Sequence, residues 1–130
     1  MKTLVIIAGV LAVMTGINGF DVKNSRSFNQ YFAKCEEELG GKPVERRPEK
    51  IHCALVKFGN IVKANGELDE VESWKLFEDT ISDANKLEQA KMLFYKCYNE
   101  TIQSGSTGKE QAMKIITCAS PNLDLLDKLN

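Results

Sequence analysis

Four cysteines, one histidine and a scatter of carboxylates are the residues of this 130-residue chain whose types could do chemistry. Cys35, Cys53, Cys97 and Cys118 make an even set, which in an oxidising compartment implies disulfides. Four cysteines allow three connectivities, and the residues alone leave the choice open. Pairing neighbours would close loops of 18 and 21 residues, each cross-link contributing roughly 3 kcal/mol in the chain-entropy picture. A zinc site is disfavoured, because the chain has no CxxC pair and a single histidine. That histidine, His52, lies beside Cys53 and off the apolar stripe of its own segment, where a plain surface role outweighs a pH switch. With no GxSxG and no partner for His52, no nucleophile–base pair can be named. Secreted phospholipases share the small, helical, disulfide-rich class but need a His-Asp dyad that nothing here supplies. The chain is therefore expected not to be an enzyme, with no catalytic residue, no metal ligand and no cofactor. Asn99-Glu100-Thr101 is an acceptor sequence for N-glycosylation, so Asn99 is a modification candidate.

The compartment is set by the first 19 residues. Lys2, an apolar run from Leu4 to Met14 and a small-residue exit over 16–19 form a secretory signal peptide, too short for a membrane span. Cleavage after Gly19 leaves residues 20–130 as one domain, with 16 basic and 18 acidic residues well mixed along the chain. No basic stripe would track phosphates and no second apolar run reaches membrane length. Nucleic-acid binding and membrane insertion are excluded on those grounds, and a secreted, extracellular product is expected.

Helical periodicity then organises the mature chain. The central stretch runs from Glu49 to Asp69, where Ile51, Leu55, Phe58 and Val62 share one helix face. Pro48 stands at its first turn and Gly66 at its expected C-terminal end. Before it, Phe28, Tyr31, Phe32, Cys35 and Leu39 mark a first helix ending at Gly40-Gly41, followed by the irregular connection GKPVERRP. After it comes a third helix over 70–81, with the stripe Val71, Trp74, Phe77 and Ile81. The fourth and longest is capped by Ser82 or Asp83 and carries Leu87, Ala90, Phe94, Cys97 and Thr101. A fifth follows SGSTG with Ala112, Ile115, Ile116 and Ala119, and Pro121 ends it. The tail NLDLLDKLN forms a last amphipathic turn or two. No useful segment alternates with period two. The fold class is all-α, a compact bundle of five to six helices with two disulfides.

Four cysteines on three helices of a small secreted domain resemble the insect odorant-binding protein family. That family usually has six cysteines, the third lying three residues beyond the second and the sixth eight beyond the fifth. Here Glu49 and Lys109 stand at those second and fifth positions, which pair with each other in the family. Loss of both together resembles the four-cysteine, "minus-C" subgroup, and implies pairing of Cys35 with Cys53 and Cys97 with Cys118. HCALVKFGNIVKANGELD is similar to the family's cysteine helix and the turn after it, AKMLFYKC to the helix leading to its fourth cysteine, and GKEQAMKIITC to the segment between fifth and sixth. The distance from Cys35 to Glu49 is 14 residues, about half the usual length, so the family's extra helical turn there is expected to be missing.

The resemblance implies a carrier of small apolar ligands (odorants, pheromones, fatty acids or alcohols) in an internal cavity, with a membrane receptor as a candidate partner. A monomer or weak homodimer is the expected state. Candidate cavity residues are Leu55, Phe58, Val62, Leu76, Ile81, Phe94, Tyr98, Ile115 and Ile116, although for any one of them plain core packing is the simpler account. Tyr98 is the most pointed, since a buried phenol wants a hydrogen-bond partner and could offer one to a ligand. Leu123, Leu125, Leu126 and Leu129 could cover the pocket mouth or pack as a last helix. One alternative is a scavenger of biogenic amines or lipid mediators, resembling short salivary proteins of blood-feeding flies that carry a similar Ile-His-Cys helix. It would place a carboxylate in the pocket, with Asp69, Glu72 and Asp124 the first to inspect. Arg46 and Arg47 could pair an acidic head group, though solvated faces are the simpler account. The alternative from another class is a helical signalling ligand with a solid core.

Overall fold

A computed structural model describes residues 19–40 and 47–128. Residues 1–18, in the segment expected to be a signal peptide, most of the GKPVERRP connection with Arg46, and Leu129 lie outside the described residues. Most of the rest is helical. Helix α1 spans Val22–Leu39, α2 Arg47–Phe58, α3 Glu70–Thr80, α4 Ala84–Gln103 and α5 Gly108–Ala119, followed by a 3-10 helix over Ser120–Leu125. Among the described residues the only extended pairing is an isolated antiparallel bridge between Val62 and Leu68.

Local chemistry fixes the helix starts. Asp21, Asp69 and Asp83 are N-caps whose side chains accept from the N–H groups of Asn24, Glu72 and Lys86, at 3.0, 2.8 and 2.9 Å. The Asp21 cap lets α1 begin six residues before Phe28, where the apolar pattern starts. The Asp21 N–H also donates to the Asp79 carbonyl at 3.0 Å, which ties the start of α1 to the end of α3.

The central helix is shorter than its apolar pattern suggests. It stops at Phe58 because Gly59 and Asn60 both turn left-handed, with φ of +94° and +69°. Val62, expected on the helix face, is instead in the bridge. The chain reverses at Asn65-Gly66, where the Lys63 N–H donates to the Glu67 carbonyl and the Asp69 N–H to the Ile61 carbonyl. Gly66 is thus no helix cap. It has φ +92° and lies against α5, so closely that a Cβ there would come within 3.0 Å of the Lys109 nitrogen. Gln111 of α5 is buried for a related reason, its Oε1 accepting the Leu68 N–H at 3.0 Å.

Helix α3 is rotated from its expected stripe. Val71 is 66% exposed, while Ser73, Leu76 and Thr80 face inward. The burial pattern on α4 and α5 follows the expected residues, with Ala90, Phe94, Cys97 and Thr101 inside on one and Ala112, Ile115, Ile116 and Ala119 on the other. Cys35 is bonded to Cys53, stapling α1 to α2, and Cys97 to Cys118, stapling α4 to α5. The 3-10 tail then folds back across the bundle. Asn122 Nδ2 donates to the Ala90 carbonyl at 2.9 Å, and the Asp127 carboxylate accepts from the N–H and hydroxyl of Ser82.

Candidate functional site

The helices surround an apolar cavity of about 70 Å³ that is partly open to the outside. Its wall takes Phe28 from α1, Ile51 and Leu55 from α2, and Ile61 and Leu68 from the bridged turn. Helix α3 adds Ser73, Leu76 and Phe77, α4 adds Phe94, and α5 adds Ile115, Ile116 and Ala119. Asn122, Leu123 and Leu126 of the tail complete it. No charged side chain takes part in this wall. An ion there would lose its hydration without a counter-charge, at a cost of many kcal/mol.

Five of the nine candidate ligand residues meet at the cavity: Leu55, Leu76, Phe94, Ile115 and Ile116. The other four do not. Phe58, at the end of α2, packs edge-on to Tyr31 at 6.5 Å and faces an outer groove. Val62 is drawn off by the bridge with Leu68. Ile81 is 1% exposed, buried where α3 ends but away from the cavity. Tyr98 packs on Phe94, ring centroids 5.8 Å apart, and does not itself line the space. Burial, reinforced by Glu70, Glu67 and Asp69, pushes the Tyr98 phenol above its ordinary range.

Sequence reasoning missed Phe28, Ile51, Phe77 and Ala119 as lining residues, although each stands in an apolar stripe it had identified. Periodicity marks a buried face but not which part of that face borders a void. Ile61 and Leu68 were missed for another reason, since both reach the cavity only because the helix breaks at Gly59. Ser73 and Asn122 carry no sequence signal. Leu123 and Leu126, expected over a pocket mouth or packed as a last helix, do line the cavity.

The polar candidates lie elsewhere. Asp69 is the α3 cap, Glu72 pairs with Lys75 at 3.9 Å, and Asp124 is held in a two-point contact by Arg47 at 3.1 and 3.4 Å. Burial, with Lys109 as a second cause, lowers the pKa of the half-buried His52 imidazole, which does not touch the cavity. Outside the bundle, a polar groove of about 360 Å³ runs between α1 and α3 past Tyr31, Phe58, Glu72, Lys75 and Asp79. Burial raises the Asp79 pKa, offset in part by a hydrogen bond from Asn24. Ile61 and Leu76 line both spaces and so form the partition between them. The described residues bring together no group of three or more His, Cys, Asp or Glu that could hold a metal, and no helix among them is long and apolar enough to cross a membrane.

Comparison with curated proteins and with solved structures gives no match. Comparison with family models does. Residues 34–123, more than two thirds of the chain, match the ant venom allergen Sol i 2 family, a span that holds all four cysteines, both disulfides and most of the cavity wall. The chain belongs to the ant venom allergen Sol i 2 family.

Proposed function

We propose that this protein is a secreted, non-enzymatic carrier of small apolar ligands, similar in action to a four-cysteine odorant-binding protein. The observation that carries the reading is the cavity itself. Protein interiors normally pack with few voids larger than a water molecule. An apolar void of about 70 Å³ costs roughly 1.7 kcal/mol in forgone packing. A solid-cored signalling ligand has no use for that cost, whereas a carrier recovers it when a ligand fills the space. Membership of a venom-allergen family and the two disulfides support release from the cell into an oxidising medium.

The cavity is small. An engineered cavity of about 150 Å³ accommodates benzene, so a larger odorant or lipid requires the wall to move outward. Leu123 sits on the short 3-10 helix and Leu126 just past its end, neither on a cross-linked helix, and they are the parts best placed to yield. An amine scavenger is less well supported, because Asp69, Glu72 and Asp124 all lie off the cavity.

The test is titration of the oxidised mature protein with N-phenyl-1-naphthylamine, followed by competition with alcohols, fatty acids and biogenic amines. Saturable one-to-one enhancement displaced by neutral apolar compounds is the expected result. Displacement by amines alone would transfer the function to the scavenger reading. A folded protein without saturable binding would overturn the carrier.

A further inference from the structure

We infer that Ser73 is the polar anchor of the cavity, and that the ligand is a neutral molecule with an apolar body and one hydroxyl or carbonyl group. This deepens the carrier reading and rests on it. Ser73 is 4% exposed, stands in the cavity wall on α3, and its Oγ is buried with no hydrogen-bond partner. A buried hydroxyl left unpaired is costly, and native proteins rarely leave one so without a use.

Thr80, two turns along the same helix, shows what an inward hydroxyl on α3 does when it serves structure alone. Its Oγ1 donates to the Leu76 carbonyl at 2.7 Å, satisfying itself within the helix. Ser73 has the Asp69 carbonyl in the same relation, but that oxygen accepts the Ser73 N–H at 3.0 Å and the hydroxyl makes no bond to it. Two other buried polar atoms share this state among the described residues, Ser25 Oγ and Trp74 Nε1, and neither residue lines the cavity. Among the described residues, only at Ser73 does an unpaired hydroxyl belong to a residue of the cavity wall.

The rest of the wall sharpens the ligand class. Asn122, the other polar residue in the wall, has its Nδ2 engaged by the Ala90 carbonyl. A serine hydroxyl both donates and accepts, so it suits alcohols, ketones and esters alike. With no cation or carboxylate in the wall, fatty-acid anions and protonated amines are excluded.

Toluene, benzyl alcohol and benzoate share one body and differ in a single group. Their competition against N-phenyl-1-naphthylamine would be measured on the oxidised protein and on Ser73→Ala and Ser73→Thr. Ser73→Ala is expected to weaken benzyl alcohol by roughly two- to twelvefold, the worth of one neutral hydrogen bond, and to leave toluene unchanged or tighter. Ser73→Thr keeps the hydroxyl and should keep the preference, and benzoate should not compete. The carbonyl stretch of bound acetophenone should lie lower in the parent than in Ser73→Ala. Equal losses for toluene and benzyl alcohol, no loss in either, an unshifted stretch, or competition by benzoate would overturn the assignment while leaving the carrier standing. If the probe does not bind the parent protein at all, the carrier reading falls and this inference with it.

Discussion

Filling the cavity with protein in place of ligand separates a working pocket from an accident of packing. Ala119 closes α5 and borders the space. Ala119→Val adds two methyl groups to the wall. Burying them should contribute roughly 1.6 kcal/mol, close to the roughly 1.7 kcal/mol that the void of about 70 Å³ forgoes. Valine is less suited to a helix than alanine by about 0.6 kcal/mol, so the net gain should be near 1 kcal/mol. Guanidinium unfolding followed by far-UV circular dichroism would read this as a raised midpoint at unchanged slope. The same variant should lose N-phenyl-1-naphthylamine affinity by tenfold or more, because the ligand's space is taken. A fall in stability would mean that the wall is already in contact and the void is not available. A gain in stability with binding intact would place the ligand elsewhere, and the polar groove past Tyr31 and Phe58 would be the next location to test.

Replacing Cys97 and Cys118 together with alanine should cost about 3 kcal/mol, from the 21-residue separation that the bridge closes, and lower the unfolding midpoint accordingly. Gly66→Ala should cost about 1–3 kcal/mol by the same assay, since alanine must take φ +92° and crowd the Lys109 backbone. His52 has a lowered pKa in the fold, so the unfolded chain takes up its proton first as pH falls below 6.5. Stability should therefore drop on acidification from 6.5 to the lowered value, and His52→Gln should flatten that part of the curve. An unchanged difference between parent and variant from pH 7.5 to 5 would show that His52 is not responsible.

The helices were legible because their signals are local. The Asp83 cap and the 3.6-residue spacing on α4 and α5 act within a turn or two. Ala90, Phe94, Cys97 and Thr101 on one and Ala112, Ile115, Ile116 and Ala119 on the other are buried as that spacing leads one to expect. The central stretch misled because Ile51, Leu55, Phe58 and Val62 keep helical spacing across a helix end. The Gly59-Asn60 break is stronger than that pattern, for two left-handed residues in succession cannot continue a helix. On α3 the apolar and buried faces disagree. Ser73 and Thr80 turn inward while Val71 turns out, because Leu76 and Phe77 must meet Phe94 and Ile61 across the interior. That choice depends on where neighbours lie, which no window along the chain reports. The cavity was legible in its α4 and α5 wall and illegible in its polar members, whose meaning depends on what they fail to bond.

The two disulfides divide the cavity wall into a fixed part and a part that can move. One bridge binds α1 to α2 and the other α4 to α5, so the residues those helices contribute are held in rigid pairs. Neither bridge reaches α3 or the 3-10 tail. Helix α3 is held to its neighbours by the Asp21 N–H to the Asp79 carbonyl, Asn24 to the Asp79 carboxylate and the Lys91–Glu78 ion pair. The tail is held by Asn122 to the Ala90 carbonyl and Asn29 to the Asp127 carbonyl, while the Asp127 N–H to the Thr80 carbonyl ties the two to each other. Each of these contacts is non-covalent, worth about 1 kcal/mol net, and can open and re-form within the folded protein, whereas a disulfide stays closed. Helix α3 and the tail therefore have more freedom to shift than the stapled pairs. Ser73, Leu76, Phe77, Leu123 and Leu126 all sit on those unstapled elements. On the proposed carrier reading, the part of the wall that would yield to admit a ligand is the part that carries the Ser73 hydroxyl, while the stapled pairs keep the opposite face in place.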